Sequence, residues 1–193
     1  PERVQEWIEE VVKALGTPDI VVATAAVVTL KNLKDISFEE WQREFDINLH
    51  GYFYLARTIA NKLVDQKKPG RIIMIGSAAA DGITMSLPTY CITKAAVRKL
   101  AESLAAQYAR DGILVTDVSP GNVDAGLSAE IMRNNPSIRP IAEACVPTGK
   151  LMEAKDVAYQ VGHLCEPESS HITGSTLYVD GGMNLKIIGE YDD

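Results

Sequence analysis

Residues Arg71-Ile72-Ile73-Met74-Ile75-Gly76 form an apolar run in which polar and apolar positions do not alternate. A strand with one wet face alternates. A strand without alternation is buried on both faces, which happens almost only in a parallel sheet covered by helices on its two sides. Further apolar runs at Ile20 to Val28, Leu114 to Val118 and Thr176 to Val179 are separated by stretches with helical spacing. Strands alternating with helices of this length predict an α/β chain with a parallel sheet and right-handed crossovers.

The helical stretches carry their own punctuation. From Pro1 to Leu15, residues Val4, Ile8, Val11, Val12 and Leu15 recur at helical spacing, and Gly16 follows the last of them. Ser37-Phe38-Glu39-Glu40 has the form of a capping box. It opens a long segment to about Lys68, which Pro69-Gly70 stops. Asn48 and Gly51 in its middle predict a kink. A second long helix is expected from Thr89 to Arg110, ended by Asp111-Gly112. A loop-rich stretch follows Pro120-Gly121 as far as Gly149. A short helix starting near Glu153 or Asp156 holds Val157, Val161 and Leu164, and the tail Met183 to Asp193 has no clear pattern. With no repeat, low-complexity tract or linker, residues 1–193 read as a single domain.

Composition excludes several function classes. The net charge of −7 includes no basic stripe for nucleic acid. No apolar run reaches the roughly 18 residues of a membrane span, and no secretory leader is visible. Cys91, Cys145 and Cys165 are odd in number and widely spaced, so they form neither a disulfide framework nor a zinc site. No metal site is expected, and the location expected is the reducing cytoplasm. His50, His163 and His171 are scattered and receive no role.

Chemistry concentrates at Tyr90-Cys91-Ile92-Thr93-Lys94. Tyr90 and Lys94 lie one helical turn apart on a common face. A free phenol titrates near ~10 and is a poor base at neutral pH. An ammonium about 4 Å away supplies roughly the 4 kcal/mol needed to bring it close to neutrality. Such a pair moves a proton on and off an alcohol or ketone oxygen. Ser77 follows the apolar run Arg71–Gly76, at the carboxyl end of its strand, where open α/β sheets place their ligands. Its hydroxyl is suited to a developing oxyanion. Asn48, inside the long helical segment, has an amide able to hold a water.

Taken in order, Asp19-Ile20-Val21-Val22, Asn48-Leu49-His50-Gly51, Gly76-Ser77, Tyr90 to Lys94, Ser119-Pro120-Gly121-Asn122-Val123, and Ile172-Thr173-Gly174 with Val179-Asp180-Gly181-Gly182 resemble the short-chain dehydrogenase/reductase family, in its single-domain branch. The resemblance implies a Rossmann-like doubly wound parallel sheet, N-terminally incomplete, with about four strands. It implies an NAD(P)-dependent oxidoreductase that interconverts a secondary alcohol and a ketone. Asn48, Ser77, Tyr90 and Lys94 are its catalytic residues. Ala23, Ala25, Tyr90, Lys94, Pro120, Gly121 and Val123 border the cofactor, NAD or NADP, with Lys94 on the nicotinamide ribose. The loop from Asn122 to Gly149 covers the substrate, and its apolar content points to a small molecule with an apolar part.

The family's Gly-rich phosphate turn, Thr-Gly-x-x-x-Gly-x-Gly, is not found among the 14 glycines. By resemblance about sixty residues carrying it would precede Pro1, and the strand at Ile20 would pair with an earlier one. Where the family has Asn-Asn-Ala-Gly this chain has Ala23-Thr24-Ala25-Ala26. Where it has a nicotinamide-binding Thr, this chain has Ala125, with Ser128 three residues later. These departures motivate an alternative: a non-catalytic subunit that pairs with an active homologue. A relative acting on nucleotide sugars and a serine–lysine hydrolase are weaker alternatives. Trp41, Phe45, Tyr52 and Leu55 exceed what one core face needs, and by resemblance they would pack against a second subunit, giving a homo-oligomer, dimer or tetramer, or a hetero-oligomer.

Overall fold

The computed structural model describes residues 2–185. Four strands, β1 (Ile20–Ala23), β2 (Gly70–Ile75), β3 (Ile113–Pro120) and β4 (Thr176–Val179), form one sheet in the order β1-β2-β3-β4. Every neighbouring pair is parallel. Parallel neighbours need long crossovers. These are α2 (Phe38–Phe45) with α3 (Gly51–Asp65), then α4 (Pro88–Tyr108), then α5 (Gly126–Asn134), α6 (Ile138–Ala144) and α7 (Ala154–Cys165). Helix α1 (Glu2–Leu15) precedes β1.

The two faces of β2 explain its unbroken apolar run. Ile72 and Met74 pack with Ile8 of α1, Ile59 and Leu63 of α3 and Val97 of α4. Ile73 turns the other way, into a smaller cluster with Val118 and Leu164. Helices therefore lie on both sides of the sheet, as expected of a doubly wound fold. The second layer does not reach β1, where Ile20 and Val22 point outward and are 45% and 38% exposed. Among the described residues β1 pairs with β2 alone, so the earlier strand implied by the resemblance is not among them. At the amino end of the sheet, Arg71 donates to the carbonyls of Leu164 and Ser169 at 2.9 and 3.2 Å, tying the end of α7 to β2.

Local signals place the elements. Ser37 and Glu40 form the expected reciprocal cap of α2. The expected kink takes the form of a π-helical turn, Asp46–His50, between α2 and α3, with Asn48 fully buried in it. Such insertions cluster at functional sites. Helix α7 starts at Ala154, because Glu153 and Asp156 make a capping box of their own.

Several expectations are corrected. The apolar run Ile20 to Val28 is a strand only to Ala23. Its ladder ends at Met74, after which Val27 exchanges both backbone bonds with the Asn48 amide instead of a strand. The stretch up to Gly149 is not all loop. It holds α5 and α6, nine and seven residues long, too short for their spacing to stand out. Tyr52 is 2% exposed and Leu55 packs against the core, so they are core residues. Trp41 and Phe45 are half-buried and pack ring against ring, their centres 4.7 Å apart. Pro1 and residues 186–193 of the tail lie outside the described residues. No helix among the described residues is long and apolar enough to cross a membrane. None of the described residues form a cluster of three or more His, Cys, Asp or Glu suited to a metal.

Candidate active site

Ser77, Tyr90 and Lys94 meet at the carboxyl end of β2. Ser77 leaves the strand in extended conformation (φ −169°, ψ 148°), and its hydroxyl accepts from the amide of Ala79 at 3.1 Å. That bond caps a short 3-10 turn, Ala78–Ala80, and fixes the side chain beside the sheet. Pro88 at the first turn of α4 needs no hydrogen bond for its missing N–H, so the helix can start at once and present Tyr90 toward Ser77. The Ser77 hydroxyl is near enough to that of Tyr90 to bear on its acidity.

Lys94, one turn further, is 1% exposed. Its ammonium donates to the carbonyl oxygen of Ile75 at 2.7 Å. It lies 5.1 Å from the ring centre of Tyr52 and 5.6 Å from that of Tyr90. Tyr52 donates to the same carbonyl at 3.2 Å. Helical spacing alone predicts the ammonium at the phenol oxygen. The structure turns it to Ile75 and over the ring. Burial holds the Tyr90 hydroxyl above the ordinary phenol range, with Ser77 opposing. Burial also pulls Lys94 down to about 8, against the attraction of Asp117. At neutral pH the site therefore contains a protonated phenol beside a cation.

Asn48 does not present a free amide. Its Oδ1 accepts from Val27 N–H at 2.8 Å, and its Nδ2 donates to Val27 C=O at 2.9 Å and to Thr93 Oγ1 at 3.2 Å. Thr93 in turn donates to the carbonyl of Tyr90 at 2.9 Å. The amide expected to hold a water is thus committed to joining the segment after β1 to the helix that carries Tyr90. One turn earlier, the buried Glu44 accepts from Thr29 N–H. Burial pushes its carboxyl above the usual carboxylate range, with Thr29 opposing.

The residues expected at the cofactor divide. Ala23 closes β1, in register with Met74, and is buried, whereas Ala25 is exposed in the following segment. Pro120 ends β3, paired with Val179. A side chain on Gly121 would meet Asp180 Cα at 3.0 Å and Met183 Sδ at 2.6 Å, so this glycine is required by the turn after β4. Val123 bridges to Met152, which anchors the segment leading into α5. Ala125 stands just before α5 and gives it no side-chain cap.

Sequence reasoning missed a charged group under the site. Asp117 on β3 is 1% exposed. Its Oδ2 accepts from Ser119 at 2.9 Å and from Arg98 Nε at 3.3 Å. Arg98 also grips Asp81 through two bonds of 2.5 and 2.8 Å. The signals were present: a carboxylate inside an apolar strand, and an Arg continuing the Tyr-x-x-x-Lys spacing by one more turn.

Beyond the sheet edge, Val28 and Leu30 face Leu127, Ile131 and Ile138 of α5 and α6 across a cleft of about 290 Å³, rimmed by Glu130, Asn134 and Asn135.

A family model described as "Enoyl-(Acyl carrier protein) reductase" matches residues 1–184. The chain is similar to 3beta-hydroxysteroid dehydrogenase 1 of Eggerthella lenta, with 35% identity over 172 residues, covering 89% of this chain and 66% of that protein. It is similar to the 3-oxoacyl-[acyl-carrier-protein] reductase FabG of Vibrio cholerae, with 30% identity over 185 residues, covering 96% and 74%. Its fold matches a crystal structure of a gluconate 5-dehydrogenase from Burkholderia cenocepacia in complex with NADP and tartrate, with a TM-score of 0.90 and 25% identity, covering 96% of this chain and 72% of that one. The chain thus spans 66% and 74% of the length of these two curated relatives. The family model runs through the whole sheet and past Asp180, and on that match the chain belongs to the short-chain dehydrogenase/reductase family.

Proposed function

We propose that this chain, as a single Rossmann-like domain, carries the acid/base site of an NAD(P)-dependent oxidoreductase that interconverts a secondary alcohol and a ketone. The observation that carries this reading is the meeting of Ser77, Tyr90 and the buried cation of Lys94 at the carboxyl end of β2.

The residues present fit the nicotinamide ribose. An ammonium has three donors, and among the described residues Ile75 takes one of Lys94's. A vicinal diol satisfies the others. Lys94 and Tyr90 would hold that ribose, with Pro120, Gly121 and Val123 on one side and Ala23 and Ala25 on the other. When bound, NAD or NADP supplies or accepts the hydride. The Burkholderia enzyme, the structural relative at 25% identity, is a complex with NADP.

In the reducing direction, Ser77 and Tyr90 both donate to the ketone oxygen. Tyr90 then gives its proton to the oxygen as charge develops there. Lys94 stabilises the phenolate that remains, since a cation and an anion attract strongly where water is excluded. Asn48 acts by position, holding Thr93 and through it the turn that bears Tyr90. Burial keeps Tyr90 protonated at neutral pH, which suits it to act as an acid.

The apolar walls of the cleft suit a substrate with an apolar body. An enoyl substrate, suggested by the description of the matching family, fits less well. A paired serine and tyrosine hydroxyl serves a carbonyl oxygen. The outer Phe38, Phe53 and Ile92, 89%, 37% and 41% exposed, support association of copies into a dimer or tetramer.

The test is Tyr90→Phe in the full chain, assayed by cofactor absorbance with NADH and NADPH against ketones of increasing apolar size and against enoyl thioesters. Ketone turnover is expected to vanish while the circular dichroism spectrum and melting temperature stay put. Unchanged turnover in the variant, or turnover of enoyl thioesters alone, would remove the reading.

A further inference from the structure

We propose that Asp117 is a positioning residue for the acid/base pair: anchored by Arg98 and Ser119, its carboxylate is the buried counter-charge that keeps Lys94 cationic against the Ile75–Gly76 peptide. This rests on the assignment of Tyr90 and Lys94 above.

A buried ammonium is unstable as a cation unless an anion lies near. Among the described residues, Lys94 has two aromatic rings and one carbonyl as its ring and hydrogen-bond partners. From α4 itself, Tyr90 and Arg98 flank it. Tyr52 faces it from α3 and is held neutral by burial. Glu44 on α2 acts on Tyr90. Asp46 and His50 of the π-helical turn pair with each other at the surface, at 2.9 Å. Tyr178 of β4 lies 5.2 Å from the Arg98 guanidinium. The acidic group that remains is Asp117 on β3, whose carboxyl burial pushes up while Ser119 and Arg98 hold it down.

Its placement is specific. Asp117 pairs in register with Met74, one residue before the carbonyl that Lys94 holds. A Cβ on Gly76 would stand 2.1 Å from Asp117 Oδ1 and 2.9 Å from Ser119 Oγ. Only a residue without a side chain lets the carboxylate come this close to the strand end. Among the described residues Oδ1 has no hydrogen-bond donor, while Oδ2 takes Ser119 and Arg98.

Charge counting points the same way. Arg98 already has a two-point partner in Asp81, so a second carboxylate exceeds what one guanidinium needs. Were Asp117 there only to anchor α4, its charge would be a liability at full burial.

The test follows Lys94 directly. The full chain is labelled with 13C-lysine, and the Lys94 Cε signal is identified by its loss in Lys94→Met. In the unmodified protein it should titrate at about 8. In Asp117→Asn the midpoint should fall by about one unit or more, since a nearby opposite charge is worth that much. Asp117→Asn leaves Arg98 facing a neutral amide and can unfold the chain. The double variant Asp117→Asn/Arg98→Met removes both charges and is expected to show a smaller fall in the same direction, since losing the Arg98 cation offsets part of it. Ser119→Ala keeps the carboxylate and should leave the midpoint in place. An unmoved midpoint in the Asp117 variants overturns the proposal. If the midpoint falls but the alkaline edge of ketone turnover does not follow it, Asp117 acts as stated and the oxidoreductase reading fails.

Discussion

Replacing Lys94 by Met should stabilise this protein at pH 7 and abolish its activity, and the size of the effect follows from burial. The ammonium falls from 10.5 to about 8 on folding because the site strips its water. A shift of this size is worth about 3 kcal/mol. Between pH 8 and 10.5 the unfolded chain holds this proton and the folded chain does not, so folding stability rises with pH across that window. Below pH 8 the folded protein carries the whole penalty. Methionine keeps the packing of the stem but loses the bond to Ile75, about 1–2 kcal/mol. Tyr52 still serves that carbonyl at 3.2 Å. The variant should thus be more stable than the parent by about 1–2 kcal/mol at pH 7 and less stable by a similar amount near pH 10.5. Urea unfolding at half-unit pH steps reads the difference, in which all other titrating groups cancel. Parallel curves for the two proteins would show that Lys94 is not buried as a cation, and the account of the site would fall with it.

Asn48→Leu should cost about 3–4 kcal/mol in urea unfolding, because it strands the N–H and C=O of Val27 and takes from the Thr93 hydroxyl one of its two bonds. Gly76→Ala should destabilise by about 2 kcal/mol or more, since the new Cβ meets Asp117 and Ser119. Loss of ketone turnover in that variant should exceed what its melting temperature explains. Ile131→Glu, in the wall of the cleft, should raise KM for apolar-bodied ketones about tenfold or more while leaving kcat for a small polar ketone near the parent value.

The sheet was legible because burial on both faces leaves a mark that local sequence carries. Arg71 to Gly76 has no alternation, and the strand it forms packs Ile72 and Met74 one way and Ile73 the other. The capping boxes at Ser37 and Glu153 and the stop at Pro69-Gly70 were legible for a similar reason, since each acts within a few residues. What distance decides was not legible. Whether Ile20 to Val28 stays in the sheet depends on where β2 stops, and Asn48 competes for the backbone of Val27. The tuning of Tyr90 was misjudged because spacing along a helix fixes which side chains share a face, not which acceptor an ammonium chooses. Ile75 O, from a strand nineteen residues earlier, takes it.

The departures at Ala23-Thr24-Ala25-Ala26 look different once α2 and the π-helical turn are in place. In that segment a pair of side-chain amides would fix the chain from within. Here the grip comes from outside: Asn48 holds Val27 at both backbone atoms, and Glu44, one turn earlier, takes the N–H of Thr29. The gripped residues, Val27 and Thr29, alternate with Val28 and Leu30. Val28 and Leu30 are turned to the cleft. The same Asn48 reaches Thr93 and, through it, the turn that carries Tyr90. A wall of the cleft and the helix that bears Tyr90 are therefore set by one buried amide. A change at Asn48 should disturb substrate fit and proton transfer together, whereas a change at Ala25, exposed beyond the end of β1, should disturb neither by way of the fold.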